Sequence, residues 1–356
     1  MSIAVDDIVR LLDEHGHAAD EEALPPAADL VGGYRAMVAA RRLNEQAGAL
    51  VRQGRLAVYP SSHGQEACQV AAAAALAEGD WLFPTYRDSA AIVARGVDPA
   101  EVLMMLRGDW HCGYDPIAHR VAPQATPLAT QLPHAVGVGH AARLRGEDTV
   151  VMALCGDGAT SEGDFHEALN FAAVFAAPVV FLVQNNKYAI SVPLARQSVA
   201  PSLAAKGVGY GVPAVLVDGN DLAALTVTLA AAVQRARAGG GPTLVEADTY
   251  RVQAHTNADD ASRYRSEAEV EPWLRRDPLV RLRTHLTRAG LLDEAAEEQI
   301  RGAAEEMARR LRTELSAEGT VDAGELFAHV YAAPTPQLAE QEALLRAELT
   351  AEEADR

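Results

Sequence analysis

The main pattern along the chain is an alternation of short apolar runs with amphipathic segments between residues 149 and 251. The apolar runs are TVVMALC, PVVFLVQ, AVLVDG and GPTLVEADTYR, and helical patterns at 161–176 and at about 221–237 lie between them. Nearly continuous apolar strands that alternate with helices are typical of a parallel sheet with helices on both faces. The pattern therefore predicts an α/β fold.

The segments around this core are mostly helical. GYRAMVAARRLNEQAGALVRQG and PLATQLPHAVGVGHAARLRG carry helical patterns, whereas DWLFPTYRD indicates a short extended segment. Ser161 and Asp164 are spaced like a capping box, which predicts a helix start there. From about residue 266 onward the chain is charged and helical. We therefore divide it into an N-terminal peripheral segment (1–30), an α/β domain (31–265) and a C-terminal helical region packed on the same domain (266–356).

Composition and charge exclude several classes of function. Hydrophobic residues make up 49% of the 356 residues, enough for a large core, and the formal net charge is −18. A chain this acidic has no overall attraction for nucleic acid or for an anionic membrane. Its three cysteines form no CxxC pair, which argues against a thiolate metal site and indicates reduced thiols. We see no secretory signal and no apolar segment of membrane-spanning length, so we expect a cytoplasmic protein.

Two polar motifs lie where neighbouring strands end. Gly156-Asp157-Gly158 follows the first apolar run, Asn185-Asn186 follows the second, and 26 residues separate them. Because a right-handed crossover makes the two strands parallel, both motifs face one crevice at the carboxyl edge of the sheet. Carboxylate and amide oxygens suit magnesium, which usually shares its ligand shell with phosphate oxygens. Gly158 and Ala159 precede a predicted helix, whose free amides favour an anion. The pattern predicts a magnesium–diphosphate site.

This spacing resembles the thiamine diphosphate motif, GDG followed after about 26 residues by NN. The resemblance extends over roughly residues 30 to 350 to the alpha subunit of the decarboxylating first component of 2-oxo acid dehydrogenase complexes. The matching blocks include YPSSHGQEACQVAAA, DWLFPTYRD, TPLATQLPHAVG, GDGATSEGDFHEALNFAAVF, VQNNKYAISVP and AHTNADDASRYR. The chain is most similar to actinobacterial branched-chain members of that family, and pyruvate-specific members share most of these blocks. The resemblance implies the thiamine diphosphate-binding fold.

The resemblance also implies roles for individual residues. Asp157, Asn186 and the backbone carbonyl of Tyr188 would bind magnesium. Gly158 and Ala159 would present amides to the diphosphate. The remaining cofactor contacts would be Tyr86, Arg87 and Arg251 at the diphosphate and Thr126 and Leu128 beside the aminopyrimidine. The loop that contains Thr126, Pro127, Leu128, Thr130 and Gln131 matches a potassium site of some mitochondrial relatives. Gln184 departs from the pattern, because some branched-chain members have Arg there, and this puts one diphosphate contact in doubt.

His255 is the catalytic candidate. A histidine in a polar loop is usually a solvated surface residue, but in the family this loop folds over the mouth of the active site and the histidine contacts the bound intermediate and the cofactor. Thr256 occupies the position of a regulatory phosphoserine in mitochondrial relatives, and no feature of this sequence indicates a kinase.

The resemblance implies an enzyme that is completed by a partner. It would decarboxylate a 2-oxo acid on thiamine diphosphate and transfer the acyl group to the lipoyl arm of the acyltransferase component. A beta subunit would supply the acidic residue that activates the cofactor, in an α2β2 heterotetramer. A branched-chain substrate, 3-methyl-2-oxobutanoate, is the leading prediction, with pyruvate dehydrogenase or acetoin dehydrogenase as alternatives. A non-catalytic scaffold subunit is a remote alternative, because Asp157, Asn186, Arg251 and His255 are all present.

Overall fold

The computed structural model describes residues 7–109, 112–316 and 322–354. Its main sheet has six parallel strands in the order β1-β7-β8-β4-β3-β2, and a small antiparallel hairpin consists of β5 and β6. The strands are β1 (Ile8–Val9), β2 (Trp81–Phe83), β3 (Val151–Gly156), β4 (Val179–Asn185), β5 (Tyr188–Ala189), β6 (Val192–Pro193), β7 (Ala214–Asp218) and β8 (Thr243–Asp248). The four apolar runs of the sequence are β3, β4, β7 and β8, which confirms the predicted parallel α/β fold.

Helices cover both faces of this sheet. In β3, Met152 and Leu154 join a core with helices α1, α2, α9 and α11, while Val151 and Ala153 join a second core with α6 and α7. The helices are α1 (Ala27–Arg52), α2 (Glu66–Ala74), α3 (Ser89–Ala94), α4 (Pro99–Arg107), α5 (Pro116–His119), α6 (Gln131–Arg145), α7 (Gly163–Val174), α8 (Ala205–Val208), α9 (Leu222–Arg235), α10 (Glu267–Arg275), α11 (Pro278–Arg288), α12 (Glu294–Ser316), α13 (Glu325–Ala328) and α14 (Pro336–Ala354). Alternate residues of a central strand thus face opposite layers, as expected for a strand buried on both sides.

The predicted capping box before α7 is wrong. After β3 the chain makes a 3-10 turn over Gly158–Ser161, and α7 begins only at Gly163, with no side-chain cap from Glu162. Asp164 instead accepts a hydrogen bond of 3.4 Å from the hydroxyl group of Thr130. A capping box would need Ser161 in an extended conformation, but Ser161 is the last residue of the tight turn.

Both ends of the described chain contribute further elements. Ile8 and Val9 form an edge strand beside β7, and the amides of Leu11 and Leu12 both donate to Asp221 Oδ2 at 2.7 Å. At the other end, α12 packs along α1 through Leu311 and neighbouring apolar residues. No helix among the described residues has the length and apolarity needed to cross a membrane. The domain limits at residues 30 and 265 remain predictions.

Candidate active site

A cavity opens at the carboxyl ends of β3 and β4. The strand register pairs Gly156 with Gln184, so the residues that follow both strands face the same space. The cavity contains about 740 Å³, counting the part that is open to solvent. Its lining includes most residues that the resemblance assigned to cofactor and metal, namely Tyr86, Arg87, Leu128, Asp157, Gly158, Ala159, Asn186, Tyr188 and His255.

Two assigned residues are not part of this lining. Thr126 is exposed, and its proposed contact with the cofactor remains a prediction. Arg251 is fully buried, and its guanidinium lies 3.4 Å from the Nδ1 atom of His255, which does line the cavity. Arg251 therefore reaches the site through His255 and through the carbonyls of Tyr188 and Ile190, which also line the cavity.

Asp157 follows β3 directly, and only 1% of its surface is exposed. Burial raises the pKa of its carboxyl group, and the hydrogen bond that Gln197 Nε2 donates to Oδ2 at 2.7 Å opposes that effect. In the described part of the chain this carboxylate is bonded to the neutral amide of Gln197 and to no cationic side chain. A buried carboxylate in this state is suited to binding a cation.

The two adjacent asparagines have different environments. Asn185 ends β4 and donates a hydrogen bond of 2.6 Å to the buried carboxylate of Glu246, within the protein. Asn186 lines the cavity, and its amide nitrogen donates to Gln65 Oε1 at 3.4 Å. Lys187 then adopts a left-handed conformation with φ of 76°, which turns the chain into the β5–β6 hairpin. The first asparagine is therefore structural, and the second faces the candidate site.

The oxygen donors of this region suit a shared metal ion. Asp157 offers a carboxylate, Asn186 an amide oxygen and Tyr188 a backbone carbonyl that already accepts from Arg251 Nη1 at 3.3 Å and has a second lone pair. Among the described residues, no group of three or more His, Cys, Asp or Glu could hold a metal. A carboxylate, an amide oxygen and a backbone carbonyl are ligand types that magnesium accepts when phosphate oxygens and water complete its ligand shell.

Gly158 is required by a close contact with the β5–β6 hairpin. A Cβ atom at this position would lie 2.7 Å from the Cβ of Ala189. Gly158 and Ala159 open the 3-10 turn, whose first hydrogen bond runs from Thr160 N to Asp157 O at 3.0 Å. Both residues precede α7, as expected, but the helix begins only at Gly163, after the turn. Any anion here would contact the amides of the turn, and the dipole of α7 lies further away.

Two arginines converge on His255. Arg87 Nη2 lies 3.0 Å and Arg251 Nη1 3.4 Å from the His255 Nδ1 atom. Because a guanidinium only donates, Nδ1 must be the acceptor, and the ring proton resides on Nε2. Burial together with the positive charges of Arg87 and Arg251 lowers the pKa of His255 to about 4. His255 is therefore a neutral Nε2–H donor near pH 7.

The arginine cluster also has unused capacity for an anion. Arg251 donates to the carbonyl of Ile190 at 2.6 Å and to the hydroxyl of Tyr264 at 2.8 Å, yet its buried Nε has no hydrogen-bond partner. Burial and the nearby charge of Arg87 lower the pKa of Arg251. Two buried guanidiniums so close to each other favour a bound anion between them. This arrangement fits the diphosphate end of the expected cofactor.

The loop after β8 is bound to the loop after β4. The amide of Thr249 donates to Asn185 O at 3.1 Å, and that of Arg251 donates to Asn186 O at 3.2 Å. These bonds continue the β4–β8 pairing beyond the last paired residues of the strands. The segment that carries Arg251 and His255 is consequently fixed beside the asparagine pair.

Several polar residues of the site were not found by sequence reasoning. Gln65 lines the cavity, is 1% exposed and has an unpaired Nε2 atom. Gln184 also lines the cavity and donates to the buried carboxylate of Asp88 at 2.7 Å, so the residue that departs from the family pattern is held by a buried acid. Gln197 contacts Asp157. The sequence showed Gln184 as a departure from the family pattern, but no local sequence signal marked the contacts of Gln65 and Gln197.

The fold and the site together define a parallel α/β protein with a polar cavity at the carboxyl edge of its sheet. The model of the dehydrogenase E1 component family matches residues 34–314, and the chain belongs to this family. Membership of this family implies thiamine diphosphate as the cofactor.

Individual relatives narrow the comparison. The chain is 50% identical over 316 residues to the 3-methyl-2-oxobutanoate dehydrogenase subunit alpha of Mycobacterium tuberculosis, covering 89% of this chain and 86% of the relative. It is 39% identical over 297 residues to the pyruvate dehydrogenase E1 component subunit alpha of Staphylococcus aureus, covering 83% of this chain and 80% of the relative. The recognition of the family from the sequence is thus confirmed.

Proposed function

We propose that this chain is the alpha subunit of a branched-chain 2-oxo acid dehydrogenase, which decarboxylates the 2-oxo acid and transfers the acyl group to the lipoyl arm of an acyltransferase component. The observation that carries the proposal is the 50% identity, over 89% of the chain, to a 3-methyl-2-oxobutanoate dehydrogenase subunit alpha. The cavity supports it, because most of the residues that the resemblance assigned to the cofactor and the metal gather there. A scaffold role has no support from these residues.

The cofactor would bind with its diphosphate between the arginine cluster and the GDG turn. Asp157, Asn186 and the carbonyl of Tyr188 would hold magnesium, while Arg87 and Arg251 would bind the diphosphate oxygens. When bound, thiamine diphosphate supplies the carbon nucleophile and the electron sink for decarboxylation. The protein positions this group and keeps its anionic end away from bulk water.

His255 would act as a hydrogen-bond donor during the reaction. The two guanidiniums occupy Nδ1, so Nε2–H is the group available to a developing alkoxide or to the lipoyl dithiolane. A neutral donor of this kind neither adds charge to the cationic cluster nor needs to lose a proton before it acts. The role therefore requires both arginines to be in place.

A beta subunit would cover the mouth of the cavity and complete the active site in an α2β2 assembly. Apolar side chains near the mouth are exposed, among them Leu128 and Ile190, which line the cavity, and Val192 in the hairpin that carries Tyr188. Exposed apolar groups beside a polar site are typical of a surface that is buried by a partner. The lipoyl arm would enter past the loop that carries His255.

A potassium ion near Gln131 is a further part of the proposal. Gln131 Nε2 donates to Leu154 O at 2.7 Å, and its buried Oε1 has no hydrogen-bond partner. An unpaired buried oxygen is available as a cation ligand. Exchange of potassium for sodium would test this by its effect on thermal stability.

The test of the function is a substrate comparison. The chain should be co-expressed with its beta subunit, with decarboxylation rates measured on 3-methyl-2-oxobutanoate and pyruvate. On acetoin, which has no carboxylate to lose, the rate of carbon–carbon bond cleavage is measured instead. We expect the highest kcat/KM on 3-methyl-2-oxobutanoate. The relative at 39% identity makes pyruvate the second candidate, and preference for pyruvate or acetoin would overturn the branched-chain assignment. One methylene in an apolar pocket changes selectivity by only about 1–3 kcal/mol, so ratios of about 10-fold or more are the relevant scale.

A further inference from the structure

Gln197 connects the segment after the hairpin to the carboxylate of Asp157. It follows the short turn Leu194–Arg196 and lies 40 residues from Asp157 along the chain. Its Nε2 atom donates to Asp157 Oδ2 at 2.7 Å and to the backbone carbonyl of Val192 at 2.9 Å. One side-chain amide thus bridges the GDG turn and strand β6.

The chemistry of the two neighbours fixes the orientation of this amide. Both are acceptors, and only the nitrogen end of the glutamine amide can donate to them. The reverse orientation would place Oε1 against a carboxylate and a carbonyl, with repulsion at both. Oε1 itself is buried and has no hydrogen-bond partner. The two contacts of Nε2 are kept even though the acceptor on the same amide remains unsatisfied.

The bridge relates two of the proposed metal ligands to each other. Val192 pairs with Ala189 in the hairpin, and the adjacent Tyr188 carries the proposed carbonyl ligand. Asp157, on a different strand loop, carries the proposed carboxylate ligand. Gln197 donates to Oδ2 of that carboxylate and makes no bond to Oδ1. The same Nε2 atom also donates to the carbonyl of Val192 in the hairpin.

We propose that Gln197 is a positioning residue for the cation site, which holds the Asp157 carboxylate in a fixed relation to the hairpin that carries Tyr188. This inference rests on the proposed function, since it needs the cation that accompanies the cofactor. Residues that orient metal ligands typically change metal affinity or activity by about 10- to 100-fold when they are replaced. The effect of Gln197 should therefore be on the concentration of magnesium that cofactor binding requires.

The test compares magnesium dependence in three forms of the α/β assembly: wild type, Gln197→Met and Ser198→Ala. Methionine has a similar length and donates no hydrogen bond, while Ser198 is the next residue and its hydroxyl accepts from Ala200 N, away from Asp157. Calorimetric titration with thiamine diphosphate is repeated at a series of magnesium concentrations. We expect Gln197→Met to need about 10- to 100-fold more magnesium, with wild-type cofactor affinity at saturating magnesium. Ser198→Ala should behave like wild type.

The other outcomes would contradict the positioning role of Gln197 or the metal site itself. An unchanged magnesium requirement in Gln197→Met, or a loss of cofactor affinity of the same size at every magnesium concentration, would overturn the positioning role while leaving the proposed function intact. Wild type that binds thiamine diphosphate without any magnesium dependence would contradict the metal site and the inference with it. If the methionine variant does not fold, Gln197→Asn replaces it, because its shorter amide cannot span both acceptors and should show the same shift.

Discussion

The contact between Gly158 and Ala189 makes a quantitative prediction about the GDG turn. Replacement of Gly158 by alanine places a methyl group 2.7 Å from the Cβ of Ala189, whereas carbon atoms in good contact lie about 3.5–4.0 Å apart. At least about 0.8 Å must be recovered by moving the turn or the hairpin. Because Ala189 belongs to the two-residue strand β5, together with Tyr188, we expect the hairpin to shift.

Gly156, the first glycine of the GDG motif, provides the control substitution for Gly158→Ala. A Cβ atom at Gly156 would meet no atom within 4 Å, and neither glycine has a positive φ. Both substitutions therefore restrict the unfolded chain similarly, by about 0.4–1 kcal/mol, and only Gly158→Ala adds a steric cost. Overpacking in a dense region costs about 1–3 kcal/mol. We expect Gly158→Ala to be less stable than Gly156→Ala by about this amount.

Urea unfolding of the cofactor-free protein, followed by circular dichroism, measures the difference directly. Removal of the colliding methyl group in Gly158→Ala/Ala189→Gly should restore part of the loss, so that the two substitutions couple by at least about 1 kcal/mol, above the roughly 0.3–0.5 kcal/mol expected for independent sites. Equal stabilities of the Gly156 and Gly158 variants, or additive effects in the double variant, would refute the reasoning.

Three other predictions concern the chemistry. Asp157→Ala should abolish magnesium-dependent binding of thiamine diphosphate in the α/β assembly, as measured by calorimetry, with circular dichroism unchanged; normal affinity would exclude Asp157 as a metal ligand. The pKa of His255 is about 4, against an ordinary value of 6.5, so NMR spectra should show a neutral Nε2–H tautomer from pH 8 to pH 5.5. The free energy of unfolding that His255 contributes should be lost as the pH falls from 6.5 towards 4. His255→Ala should slow single-turnover acylation of a free lipoyl domain by about 100- to 10,000-fold with little change in cofactor affinity, and a normal acylation rate would remove it from the catalytic residues.

The sequence alone was sufficient to predict features that depend on residues close together in the chain. Strand β4 reads as a continuous apolar run because it is buried on both sides, and its end is marked by the asparagine pair. The GDG and NN motifs were placed at one sheet edge because parallel strands leave little choice of geometry. Family resemblance then supplied the residues on the remaining loops, and most of them line one cavity.

Features that depend on contacts between distant segments were not predictable in this way. Asn186 and Gln65 are 121 residues apart, and Gln197 reaches Asp157 across 40 residues. No periodicity marks such a glutamine as buried or bonded. The start of α7 was also missed, because the tight turn after Asp157 is set by packing against the hairpin and not by a capping sequence.

The short strand β1 has a consequence for the integrity of the whole molecule. It pairs with Leu216 and Val217 at the outer edge of β7, and without it the backbone of these two residues would be unpaired at the end of the sheet. An uncovered edge of this kind is a template for pairing with other chains and for aggregation. The segment that follows β1 also donates two hydrogen bonds to the carboxylate of Asp221, which caps α9. A form of the protein shortened to begin after Leu12 would therefore lose colloidal solubility together with the anchor of that helix.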